Sequence, residues 1–143
     1  MPQIAYNKTA RTEKPRFIVV HTTGNTRPGA DAAAHFAYWN SGNVGQSADF
    51  VVDAGGALQI NDYTKYYTWH CGDGKGKYGI TNGNSIGVEI CVNADGDFEK
   101  ALSNAVTLII NQAKQYRDCV KMLALLRFLR FERLSICIRA PLT

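Results

Sequence analysis

Two apolar runs each carry one residue out of keeping with its neighbours, and those residues are the first candidates for chemistry. Phe17-Ile18-Val19-Val20 leads into His21-Thr22-Thr23-Gly24, and Ile86-Gly87-Val88 leads into Glu89-Ile90-Cys91-Val92. Short runs of aliphatic and β-branched residues read as strands buried on both faces. An imidazole at the C-terminal end of such a strand faces the crevice where open α/β sheets place their ligands. That suits a metal ligand; a histidine hydrogen-bonded at a strand end is the plainer alternative. An ionised carboxylate in a buried strand costs several kcal/mol unless it is paired or near a metal. Glu89 is therefore either a base held for a purpose or a residue facing solvent from a half-exposed strand.

A third candidate, His70, lies in the long segment 61–83, which reads as irregular and holds Tyr63, Tyr66, Tyr67, Trp69 and Tyr78. Loops of that length are functional or disordered, and five aromatics argue against disorder. The glycines of Cys71-Gly72-Asp73-Gly74-Lys75-Gly76-Lys77 lack the spacing and the preceding strand of a phosphate loop. A polar, aromatic rim for sugar or peptide fits them better. His35 sits beside an apolar stripe without a second ligand at helical spacing, and reads as a surface or packing histidine.

The elements that must position these residues follow in order. Gly29 to Asn40 reads as a helix, with Asp31 in its first turn and Ala32, Phe36 and Trp39 forming the stripe that packs on the sheet. Phe50-Val51-Val52 and Ala57-Leu58-Gln59-Ile60 read as a β-hairpin turned by Asp53-Ala54-Gly55-Gly56. Residues 98–116 form an amphipathic helix through Leu102, Ala105, Val106, Ile109 and Ala113. Val19-Val20 and Ile86-Val88 are expected as buried neighbours in one sheet, with His21 and Glu89 approaching a common groove and His70 on its wall.

The 143 residues suit a single domain, 1–143. No basic start is followed by an apolar stretch, so no signal peptide is expected, and no run approaches the ~18 apolar residues of a membrane span. Without Cys-x-x-Cys spacing, Cys71, Cys91, Cys119 and Cys137 read as free thiols. The net charge of +4 is local: residues 1–116 carry ten basic and ten acidic residues, and 117–143 carry six basic residues against Asp118 and Glu132. An excess confined to the tail does not describe a nucleic-acid groove.

Val20-His21-Thr22-Thr23-Gly24, Trp69-His70-Cys71-Gly72-Asp73-Gly74-Lys75-Gly76-Lys77-Tyr78-Gly79 and Asn84-Ser85-Ile86-Gly87-Val88-Glu89 together resemble the zinc-dependent N-acetylmuramoyl-L-alanine amidases. That family spans phage and prophage endolysins, bacterial autolysins and the peptidoglycan recognition proteins. The resemblance covers roughly residues 3–116. It implies an α/β fold with a mixed central sheet flanked by helices, and a shallow groove for the muropeptide of bacterial peptidoglycan. It implies cleavage of the amide between the lactyl group of N-acetylmuramic acid and L-alanine. It assigns His21 as a zinc ligand, Glu89 as the general base, and Trp69, His70 and Lys77 to substrate binding. A monomer made in the cytoplasm and acting on the wall is the corresponding expectation.

The chain departs from the family twice. Asp49 stands where many members have a histidine, and no histidine follows Cys91 to supply the family's C-terminal His and its later Cys or Asp. A catalytic zinc takes three protein ligands, and His35, His70, Cys71, Cys119 and Cys137 are not ready replacements. The tail 117–143 contains no glycine and is rich in Leu, Arg and Phe. A shifted reading frame explains the abrupt change; a basic amphipathic segment lying on anionic lipid is the alternative. Two rivals to a hydrolase are thus a non-catalytic muropeptide-binding module and a membrane-surface binder.

Overall fold

The structure is a computed structural model that describes residues 2–71, 79–115 and the backbone of 136–139. Nine elements follow in order: β1 (Lys8–Ala10), β2 (Phe17–Thr22), α1 (Ala32–Trp39), β3 (Phe50–Asp53), β4 (Gly56–Gln59), β5 (Tyr66–Thr68), β6 (Ser85–Ile90), α2 (Phe98–Gln115) and β7 (Ile136–Arg139). Five strands form one mixed sheet in the order β4-β3-β6-β2-β7, and β1 and β5 form a separate two-stranded ribbon. The two apolar runs that carry His21 and Glu89 are β2 and β6. They pair in parallel with Val20 opposite Val88 and His21 opposite Glu89, as their composition predicts.

Alternation along the strands divides the core in two. Ile18, Val20, Ile86, Val88, Ile90, Phe50 and Val52 point to one face, where Ala101 and Ala105 of α2 seal them. Val51 and Cys91 point to the other, with Ala32 and Trp39 of α1, Ala48, Ile4 and Ile60. Helix α1 packs chiefly on β3 and reaches Cys91 just past β6, so it covers one part of that face. The other part is the part that holds His21 and Glu89.

Several expectations shift. Helix α1 begins three residues later than Gly29: Asp31 is its N-cap, accepting a hydrogen bond from the Ala34 N–H at 2.8 Å. On α2, Val106 is 48% exposed and is no core residue; Leu102, Leu108 and Ile109 fill that role beside Ala101 and Ala105. Segment 61–83 is not wholly irregular, because Tyr66–Thr68 pairs antiparallel with Lys8–Ala10. Neither strand has an apolar alternation to reveal it. Of the tail, Ile136–Arg139 adds an antiparallel strand beside β2, with Val19 opposite Cys137. The frame-shift and lipid-binding readings of the rest of the tail lie outside the described residues.

The division of the core predicts unequal costs. Ile86→Ala removes a side chain 1% exposed between two sheet neighbours and should lower stability by about 3 kcal/mol. Val106→Ala should stay within about 0.5 kcal/mol. Urea denaturation of the two variants checks both.

Candidate active site

His21 reaches its place because β2 runs out there. Thr23 continues the ladder by one N–H, to the Ile90 carbonyl at 2.9 Å, and Gly24 then turns the chain away at φ +64°. The parallel register sets Glu89 beside it, so His21 Nδ1 and Glu89 Oε1 lie 3.4 Å apart, with side chains 18% and 14% exposed. The two groups are shielded yet open to solvent on one side, as residues that work on a bound substrate must be. The Thr23 hydroxyl, two positions on, is buried without a hydrogen-bond partner among the described residues.

His70 stands on the same face. A Cβ built on Gly87, two residues before Glu89 on β6, would lie 2.4 Å from its Cγ, so the ring rests flat on the space that glycine leaves open. Its backbone N–H donates to Asn82 Oδ1 at 3.1 Å. The ring nitrogens are both engaged inside the protein: Nδ1 lies 3.0 Å from the Thr68 hydroxyl and Nε2 2.9 Å from the Ser85 hydroxyl. What His70 offers the groove is ring carbon rather than a free nitrogen.

Trp69 is tied down at its backbone, donating to the Ser47 hydroxyl at 3.0 Å, and at its indole, donating to the Thr9 hydroxyl of β1 at 3.1 Å. The ribbon β1–β5 thus carries Trp69 and His70 to the edge of the β2–β6 face. Arg11, just past β1, holds the ribbon to the sheet by donating to the carbonyls of Tyr63 at 2.8 Å, Ser85 at 2.9 Å and Gly83. Lys77 lies outside the described residues.

Sequence reasoning singled out Asp49 only as a departure. It is completely buried at the foot of this face. Its carboxyl accepts from the Gly87 N–H at 2.7 Å and from Asn61 Nδ2 at 2.7 Å, and it interacts with the Thr68 hydroxyl. Burial raises its pKa to about 6 against those hydrogen bonds and the field of Arg11. Burial likewise pushes the His70 pKa down to about 3, assisted by the fields of His21 and Arg11. The position of Asp49 beside Phe50-Val51-Val52 hinted that it was buried; nothing in the spacing of Asn61, Thr68 and Ser85 could have linked them to it.

His35, expected on the surface or in packing, is buried against Trp39, ring centroids 5.5 Å apart, and its Nδ1–H donates to the Asp31 carbonyl at 2.8 Å. Burial pushes the neighbouring Cys91 thiol up to about 12, helped by Asp53, Asp31 and Glu89, so that it stays protonated. Both belong to the α1 side of the core. They bring no ligand to His21.

The arrangement can hold a water or an amide beside a carboxylate and an imidazole. Among the described residues no group of three His, Cys, Asp or Glu could hold a metal ion. The described donors therefore do not fit a three-ligand catalytic zinc.

Comparison with known proteins identifies the lineage. A family model described as N-acetylmuramoyl-L-alanine amidase matches residues 11–126. The chain belongs to the N-acetylmuramoyl-L-alanine amidase family. It is 43% identical over 109 residues to the N-acetylmuramoyl-L-alanine amidase CwlH of Bacillus subtilis, covering 76% of this chain and 42% of that one. To the amidase XlyA of the same organism it is 44% identical over 112 residues, covering 76% of this chain and 35% of that one. Its fold is similar to that of a mutant endolysin from Bacillus subtilis, with a TM-score of 0.69 and 39% identity over 82% of this chain and 79% of that one. The chain thus spans less than half the length of the curated amidases it matches. The α/β architecture expected from the motifs is the architecture of these amidases.

The contact between His70 and Gly87 makes a prediction. In Gly87→Ala the new methyl would overlap the ring, and the cost should be about 1–3 kcal/mol, read by urea denaturation. A variant of unchanged stability would mean that the ring moves aside freely.

Proposed function

We propose that this chain acts on bacterial peptidoglycan as an N-acetylmuramoyl-L-alanine amidase, cleaving the amide between the lactyl group of N-acetylmuramic acid and L-alanine. The observation that carries the reading is the pairing of His21 and Glu89, 3.4 Å apart at the open half of the sheet face in a chain of amidase lineage. In this reading Glu89 is the general base. It accepts a proton from the attacking water and returns it to the leaving amine, so that one carboxylate serves both halves of the reaction. His21 is the imidazole beside that base, with Nδ1 turned to Glu89. Trp69 and the carbon edge of His70 form the rim against which the muropeptide lies, and Lys77 is assigned to the same groove by its place in the motif.

Zinc is the cofactor this lineage implies; held at such a site it would polarise the amide carbonyl and acidify water. The described donors stop short of three ligands, and that observation favours a second reading, a muropeptide-binding module without turnover. A monomer made in the cytoplasm and released to act on the wall fits both readings. No described helix is long and apolar enough to cross a membrane.

Release of L-alanine-terminated peptides from purified cell walls tests the hydrolytic reading. Glu89→Gln should lower that release by ~10²–10⁴-fold while leaving wall binding in place; unchanged turnover would remove Glu89 from the mechanism. Zinc analysis after dialysis should find well under one tightly held ion per chain. A full equivalent of zinc together with turnover would overturn the binding-module reading.

A further inference from the structure

The two-stranded ribbon has two faces, and they carry different chemistry. Its register sets Lys8 opposite Thr68 and Ala10 opposite Tyr66 on one face, and Thr9 opposite Tyr67 on the other. Thr68 is fully buried, with its hydroxyl 3.0 Å from His70 Nδ1, which marks the first face as the inner one. There the Tyr66 ring already has a partner, the Lys8 ammonium 4.8 Å from its centroid. Trp69 follows β5 by one residue and belongs to the outer face, because its indole N–H donates to the Thr9 hydroxyl at 3.1 Å.

The solvent side of an antiparallel pair ordinarily carries polar residues. Here it carries Tyr67 and Trp69, both half-buried, beside an exposed Thr9. Two positions apart on one strand, the aromatic residues are spaced by about 7 Å. The Thr9 bond draws the indole across toward the neighbouring strand and satisfies its polar edge within the protein. What Trp69 offers a ligand is therefore ring face. Thr9 accepts that bond and keeps its own hydrogen, which it gives to no other group among the described residues. The Tyr67 phenol likewise makes no hydrogen bond among the described residues.

This mixture selects its ligand. A partner protein's apolar core wants contiguous apolar surface, whereas hydroxyls interrupt the rings here. An anionic polymer wants cations, and the ammonium of Lys8 is engaged on the inner face. A sugar ring matches both components: its C–H side lies on the electron-rich face of an aromatic ring, and its hydroxyl and acetamido groups reach hydroxyls at the edge.

We propose that Tyr67, Trp69 and Thr9 form a second site, on the outer face of the ribbon, that binds the aminosugar chain of peptidoglycan while the stem peptide lies beside His21 and Glu89. The choice of an aminosugar chain rests on the reading of this protein as a wall amidase. It rests also on continuity, because Trp69 on the outer face and His70 on the inner face are consecutive residues, so that a sugar on one adjoins a peptide on the other. The site binds and does no chemistry. Holding the polymer backbone keeps its peptides near Glu89 between turnovers, which raises their effective concentration.

The test uses the full chain and a probe without peptide, the β-1,4-linked tetramer of N-acetylglucosamine. The chain has two tryptophans, and Trp39 is only 5% exposed, so a change in tryptophan emission on adding the sugar reports Trp69. Wild-type emission should change saturably, and backbone ¹⁵N shifts should move at Thr9 and Tyr67. Tyr67→Ser and Trp69→Ala should each weaken the tetramer by ~3–10-fold, read from those shifts, while Trp69→Phe, which keeps a ring face, should retain most of the affinity. No saturable response, an unchanged affinity in Tyr67→Ser, or shifts confined to the surroundings of His21 would overturn the proposal. So would a wild-type dimer that Tyr67→Ser dissociates, since the face would then belong to a second copy. If Trp69→Ala does not fold, Tyr67→Ser decides alone. The sugar titration is read whether or not any wall is cleaved, so a failure to hydrolyse walls counts against the amidase reading alone.

Discussion

The parallel pairing of β2 with β6 is the contact on which the rest of the structure depends. It sets Val20 against Val88 on the face sealed by α2, and by the same register sets His21 against Glu89 on the opposite face. Side chains alternate along a strand with a period of two, so a slip of one residue would turn the histidine into the core and a valine into the groove. Core and site are thus specified by one alignment. The stability of the first guarantees the geometry of the second.

The sheet alone does not make a groove. Helix α1 covers only the β3 side of the second face, and the remainder is bounded by a ribbon drawn from two distant stretches, Lys8–Ala10 and Tyr66–Thr68. Arg11 joins that ribbon to the chain entering β6 through the Gly83 and Ser85 carbonyls, and holds the Tyr63 carbonyl ahead of β5 as well. Since a buried carbonyl left without a partner is costly, this clamp fixes how closely Trp69 and His70 approach the sheet. Gly87 completes the fit by leaving room for a ring where any other residue would place a methyl group.

Beneath the groove the protein spends polar groups where an apolar filling would serve for packing alone. Asp49, Asn61, Thr68, His70 and Ser85 are buried together, and their hydrogen bonds are directional in a way that methyl groups are not. The region that carries the amidase lineage is therefore rigid in its floor. Its described metal donors, by contrast, are few.

The sequence by itself determined the two central strands, the hairpin, both helices and the candidate pair His21 and Glu89. Each of these announces itself locally: apolar runs, turn residues and helical stripes act within a few neighbours, and a lone charge in an apolar run stands out. The tertiary structure decided the rest. The ribbon β1–β5 has no alternation because it is largely solvated, and its partner is far away in the chain. Val106 sits at a stripe position yet faces out, while Ala101 and Leu108 join Leu102, Ala105 and Ile109 against the sheet. The union of Asp49 with Thr68, His70 and Ser85 was the least legible feature of all. It draws on three separate segments, and hydrogen-bond partners of that kind leave no period or spacing in a single sequence, because only the folded backbone brings His70 within 2.9 Å of Ser85 and Asp49 within 2.7 Å of the Gly87 N–H.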